Sequence, residues 1–222
     1  MTKLSKGMLA KILISEFLQK KKLTFLLLGL FLVGSSQAQF DYQGMQSLHS
    51  NRNQNLDPFF KVVTHSVTPV MFALPIGSLG TWVITKDKNY LRKTFMQLEA
   101  MAINGLITLS LKELVKRPRP FVTYPEFDNL VSAGSYSFPS GHTSSAFNTA
   151  TALTMSCPKW YFIAPAYTWA SLAGYSRIHL GVHYPTDVLM GAIVGSGSAV
   201  AGYYLNQWFS NSLKAKKLNS KL

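Results

Sequence analysis

From Val62 to Ile84 the chain carries no formal charge, and His65 is the only residue there that titrates near neutrality. A helix of that length can cross a bilayer, which takes about 20 apolar residues. Pro69, Pro75, Gly77 and Gly80 fall inside the stretch; spanning helices tolerate such residues more readily than soluble ones do. Four further apolar stretches follow, at 94–111, 142–157, 160–175 and 188–208. The first has Leu98, Met101, Ala102, Gly105 and Leu109 at helical spacing. Its Glu99 and Asn104 suit a spanning segment only if they face the bundle interior. Residues 142–157 are rich in Ala, Ser and Thr, and 188–208 hold Gly191, Gly195, Gly197 and Gly202. Such small residues let helices approach closely. Pro118, Pro120 and Pro158 break the runs, and Pro165 is expected to kink the fourth. No alternating run is long enough for a sheet. The expected fold is all-α, a bundle of about five to six core helices that span a membrane.

Composition alone does not decide the membrane question: 47% of residues are hydrophobic and the mean hydropathy is +0.12. The placement of charge is more informative. The net charge of +13 is not read as a nucleic-acid footprint, because no recognition motif accompanies it. Basic clusters sit instead at Lys20–Lys22, Lys86–Lys93, Lys159 and Lys214–Lys221. If the apolar stretches span, these fall on alternate connections and share one side, the asymmetry of cytoplasmic loops. Residues 1–38 read as a signal peptide, with Lys20–Lys22, the apolar run Leu23–Val33, then Ser36 and Ala38 before cleavage; the alternative is an uncleaved first transmembrane helix. Residues 39–208 would form one domain and 209–222 a basic tail. The single cysteine, Cys157, excludes an intramolecular disulfide or a cysteine zinc cluster and reads as a buried core residue. His65 and His179 read as packing residues.

The other connections carry three motifs. Lys112 is followed, after six residues, by Arg119-Pro120. Pro139-Ser140-Gly141-His142 opens the third apolar stretch. Ser176-Arg177 is followed by His183, then Asp187. Lys112, Arg119 and Arg177 supply fixed positive charge, which a transferring phosphoryl group needs, and the planar fork of arginine suits phosphate oxygens. Ser140 is a good helix N-cap, and exposed backbone donors at a helix start favour an anion; Gly141 lets that anion come close. Pro185 suits a first helical turn, from which Asp187 reaches back to one nitrogen of His183 and leaves the other free to attack. Lys116 and Arg117 read as a plain juxtamembrane basic cluster.

From Lys112 to Asp187 the three motifs resemble those of the type 2 phosphatidic acid phosphatase superfamily, which includes bacterial class A acid phosphatases and vanadium haloperoxidases, and no motif position departs from the pattern. The resemblance implies that His183 is a nucleophile forming a phosphohistidine, that Asp187 orients it, and that His142 protonates the leaving oxygen. Lys112, Arg119, Ser140, Gly141 and Arg177 would bind phosphate, with no metal or other cofactor. It also implies a lipid phosphate or pyrophosphate substrate, cleaved at the periplasmic face of a bacterial inner membrane; the alternative is a soluble periplasmic acid phosphatase of broad specificity. Residues that select the head group are expected in 39–58 and 121–138.

Overall fold

The computed structural model describes residues 37–219, with side chains to residue 212. The chain divides into two units, Met1–Gln43 and Gly44–Leu222. In the first, the described residues 37–43 are helical; the apolar run Leu23–Val33 and Ser36 lie outside the described residues. The second unit holds five long helices: α1 (Asp57–Thr85), α2 (Lys88–Val115), α3 (Gly141–Ser156), α4 (Trp160–His179) and α5 (Pro185–Asn219). A single helical turn, Pro120–Thr123, lies in the connection between α2 and α3. No strand occurs among the described residues.

Local chemistry sets the helix ends. α1 stops where Lys86 turns left-handed, at φ 57°, and its N–H returns to the Trp82 carbonyl. Asp87 then caps α2 by accepting from the Asn89 N–H at 2.9 Å. α2 ends the same way at Lys116, φ 49°, one residue before the Arg117-Pro118 pair. α5 runs on to Asn219, through residues read as tail, because nothing between 209 and 219 breaks a helix. Pro165 sits within α4 without ending it.

The shortest long helix, α3, is the hub and packs on all four others. Its alanines make this possible: Ala146 and Ala150 join Val63, Val67, Ala170 and Ala173 in one core, while Ala152 meets Met96, Ala100 and Ala199 in another. Gly195 of α5 lies against the Ser144 carbonyl, where any Cβ would collide. Asn148 donates to the Ala100 and Gly195 carbonyls at 3.1 and 3.2 Å, tying α2, α3 and α5 together. Ser144 donates to Asn104 and shares a bond of 3.1 Å with Thr108.

The interior thus combines two apolar cores with many buried polar groups, and large apolar side chains stand on the outside. Ile84, Leu106, Leu109, Trp160, Leu189 and Ile193 are all exposed. By length and composition, two described segments can cross a membrane, Gln54–Thr85 and Pro185–Ser212. Two smaller expectations fail. Cys157 is only partly buried, as it caps the C-terminus of α3 instead of lying within it. His65 is exposed on α1, one residue past the buried Thr64.

Candidate active site

One end of the bundle gathers the C-terminus of α2, the N-terminus of α3, the C-terminus of α4 and the N-terminus of α5, and with them all three motifs. Lys112 lies in the last turn of α2, 6% exposed, and donates to the Tyr136 carbonyl. Arg119 lies just past the helix, 8% exposed. Its Nε donates to the Ser135 carbonyl at 2.7 Å and its Nη1 to the Val182 carbonyl at 2.8 Å. Arg177, in the last turn of α4, is 3% exposed and donates to Thr64 Oγ1 at 2.5 Å. Its Nε is buried and has no partner among the described residues.

Ser140 is the N-cap of α3, as its residue type suggests. Its Oγ accepts from the Thr143 N–H and bonds Thr143 Oγ1 at 2.8 Å. Its own N–H donates to the Asp187 carbonyl at 3.0 Å, which fastens the start of α3 to the start of α5. Gly141 and His142 follow on the first turn of α3. Both line a cavity of about 340 Å³ with Lys112 and with Val67, Met71 and Leu109 of α1 and α2. His142 is within electrostatic reach of Arg177, Arg119 and Lys112.

His183 is buried in the turn between α4 and α5. Arg119 Nη1 donates to its Nε2 at 3.3 Å, so Nε2 carries a lone pair. The proton is then on Nδ1, which faces Asp187 Oδ2 and Ser137 Oγ, both at 3.4 Å. Ser137 donates to the same Asp187 oxygen at 2.5 Å, and the Tyr184 N–H does so at 3.0 Å. The other carboxylate oxygen accepts from Arg117 Nη1 at 2.8 Å. Arg117 is therefore no plain surface charge, as its neighbour Lys116 is; it reaches past Tyr184 into the site. Ser137 and Thr64 carry no sequence signal beyond Ser137's place two residues before the Pro139 motif.

The turn itself is pinned from outside. Gly181 has φ +76°, and the Asp128 carbonyl lies against it where a side chain would stand. Leu130 N–H donates to the Leu180 carbonyl at 3.1 Å. His49 Nδ1 donates to the His179 carbonyl at 2.9 Å. His179 Nε2 and Arg52 Nε share Asp57 Oδ1 at 2.8 and 3.1 Å. His179 thus packs and tethers, and the segments 44–57 and 121–138 hold the turn in place.

Charge balance decides what the site wants. Three buried cations face one buried carboxylate, and that carboxylate is already shared by Arg117, Ser137 and a backbone N–H. Burial, and then Arg119 and Arg177, push the Lys112 ammonium down to about 8, against the opposing pull of Asp187. Burial pushes Arg177 down to about 10, so it stays cationic at neutral pH. Burial pushes His183 down to about 3 although Asp187 favours its cation, which leaves it neutral and unprotonated at Nε2. A neutral nitrogen beside unneutralised cations is poised to attack an anionic electrophile.

A family model described as the PAP2 superfamily matches residues 94–211. The undecaprenyl-diphosphatase BcrC of Bacillus subtilis (strain 168) is 31% identical over 159 residues, covering 69% of this chain and 78% of that protein. Two solved structures are similar in fold. The crystal structure of Aquifex aeolicus LpxE gives a TM-score of 0.65 at 28% identity, over 74% of this chain and 94% of that one. A transmembrane PAP2-type phosphatidylglycerolphosphate phosphatase from Bacillus subtilis gives 0.63 at 27% identity, over 86% and 94%.

Proposed function

The chain belongs to the PAP2 superfamily and hydrolyses phosphate esters; from that premise we propose that its substrate is a lipid phosphate or pyrophosphate, and that the reaction passes through a phosphohistidine on His183. The observation that carries this reading is the excess of buried positive charge around a neutral His183, with Arg177 Nε still lacking a partner among the described residues. A bound phosphate dianion supplies the missing acceptors. Its oxygens would take bonds from Lys112, Arg119, Arg177 and the backbone at Gly141.

The chemistry then needs two steps. His183 Nε2 forms the bond to phosphorus as the ester oxygen leaves, and that oxygen takes a proton from His142. Asp187 stabilises the Nδ1 proton as the ring becomes cationic. Water then attacks the phosphohistidine, giving a proton to His142, and Nε2 departs with its electron pair. The side-chain cations carry the developing charge, so activity should survive a chelator and be inhibited by vanadate.

The lipid assignment rests on the many large apolar side chains that the helices expose, together with the small and polar residues at their contacts. The 340 Å³ cavity supports it, since its apolar wall of Val67, Met71 and Leu109 begins beside Lys112 and His142. A head group at the cations leaves its hydrocarbon chain along that wall. The basic connections are proposed to face the cytoplasm and the site the periplasm.

The test is phosphate release by protein extracted in detergent, from undecaprenyl diphosphate, phosphatidylglycerol phosphate, phosphatidate and a lipid A phosphate, against p-nitrophenyl phosphate. One lipid should be preferred by at least about tenfold, the scale of one good polar contact in a dry site. Native protein in the detergent-free soluble fraction, with the aryl phosphate turned over as fast as any lipid, would favour the soluble acid phosphatase instead. A reporter active only in the periplasm, fused after Leu222, should be silent.

A further inference from the structure

The geometry points to Arg117 as a positioning residue of this reaction: it acts on His183 through Asp187 and touches neither the phosphate nor the leaving oxygen. The inference rests on His183 being the nucleophile.

Asp187 is fully buried and presents its two oxygens to different partners. Oδ2 faces the imidazole, Ser137 and the Tyr184 N–H. Oδ1 faces away, to Arg117 Nη1 at 2.8 Å. The same Nη1 donates to Thr186 Oγ1 at 2.9 Å, and the guanidinium lies 3.9 Å over the Tyr184 ring. The cation is thus held to two residues of the turn that leads into Asp187, Tyr184 and Thr186. Arg117 also works through its backbone: its carbonyl accepts the Ser137 N–H at 2.8 Å. One residue therefore fixes both the rear of the carboxylate and the serine that bonds its front. By contrast, Lys112, Arg119 and Arg177 take backbone carbonyls, Thr64 or, for Arg119, His183 Nε2 as partners, and no bond from any of them to Asp187 occurs among the described residues.

Removing the guanidinium leaves a buried carboxylate held at Oδ2 alone. It is then free to rotate away from Nδ1, so the ring loses its orientation while the phosphate cradle keeps its charge. The expected signature is a loss in kcat with KM nearly unchanged, and a loss that needs Asp187 in order to appear.

The experiment is a double-mutant cycle on detergent-solubilised full-length protein, with phosphatidate in mixed micelles as the probe. Arg117→Met should lower kcat about 10- to 100-fold with KM within about threefold. Arg117→Lys should recover part of the rate, since charge returns without the planar fork. In an Asp187→Asn background, Arg117→Met should change kcat by about twofold or less, because coupled residues do not add. An equal factor in both backgrounds, or a raised KM with kcat intact, overturns the proposal and returns Arg117 to the phosphate-binding cations. If Arg117→Met does not yield folded protein, Arg117→Lys carries the same cycle with a smaller factor. An Asp187→Asn enzyme of unchanged rate would sink the catalytic reading beneath it, and the proposal along with it.

Discussion

The two ends of the bundle hold their cations in opposite ways. At the motif end Lys112, Arg119 and Arg177 are buried, and their donors are aimed by carbonyls and by Thr64. At the far end Lys86, Lys88 and Arg92 are exposed. There Lys86 lies over Trp82 and Lys93 over Tyr90, at 5.8 and 5.0 Å, and Arg92 bonds Asn206 at 3.2 Å. The far end even holds the larger cavity, about 440 Å³ against about 340 Å³. Volume is a poor guide here. A solvated cation is already satisfied and contributes about 0–1 kcal/mol to any one pair. A buried one costs several kcal/mol unless a partner is supplied. Cations kept in such a place without enough carboxylates imply that an anion completes the set.

The sharpest way to break that contrast is to remove the proposed nucleophile, His183, and leave the cations. His183→Ala should lower phosphate release by about 10⁴-fold or more, the scale at which covalent sites fail when one member is lost. Phosphate or vanadate should still bind, because Lys112, Arg119 and Arg177 remain. A fully active variant would move the chemistry elsewhere. Asp187→Asn should cost about 10²- to 10⁴-fold, as loss of an orienting carboxylate does at other histidine sites.

Much of this contrast was legible in the sequence, and the part that was not has a physical reason. The five helices follow from apolar runs and proline breaks, and each apolar stretch lies inside an observed helix except for Cys157, one residue past the end of α3. Two helices run past their apolar stretches, α2 to Val115 and α5 to Asn219, through residues that helix propensity alone permits. The motif residues were legible by type and spacing, and the structure brings them to one end. Arg117 was not, because its role depends on Asp187, 70 positions on, arriving beside it. Thr64 was not, because it meets Arg177 across 113 positions. Motif spacing encodes contacts within one turn or helix end, and these partners come from the packing of separate helices. Cys157 shows the same limit: an apolar neighbourhood in sequence became a partly exposed cap when α3 ended just before it.

A smaller effect separates the three cations by pH. Lys112, held down to about 8, loses its charge as pH rises through that value, so kcat/KM should fall above about pH 8. A bound phosphate dianion favours the ammonium form, so kcat should hold to higher pH than kcat/KM does. Lys112→Arg should move the limb upward, since arginine stays charged. As the proposed nucleophile, His183 must be deprotonated to attack, so with burial holding it down to about 3 it should give no acid limb in the ordinary pH range. An alkaline limb that stays in place in Lys112→Arg would assign it to another group, first to His142, which must be protonated to serve the leaving oxygen.

The smallest expected effect comes from the far end, and it is the control for all the others. Arg92→Gln and Lys93→Gln each remove a charge as formal as that of Lys112, so a mechanism driven by net charge would weaken with them. A mechanism driven by buried charge would not. Arg92 gives up one bond to Asn206 on an exposed side chain, and Lys93 one stacking contact with Tyr90. Each loss should cost about 0.5 kcal/mol or less, the ordinary scale for surface substitutions. Rates with a short-chain phosphatidate in neutral detergent should stay within about twofold, since screening over a Debye length of about 8 Å removes long-range influence on the opposite end. Steady-state kinetics of the two single variants and the pair, at low and physiological salt, make the measurement. A drop beyond about tenfold that vanishes at high salt would show that the far-end cations steer the substrate, and that the difference between the two ends is one of degree.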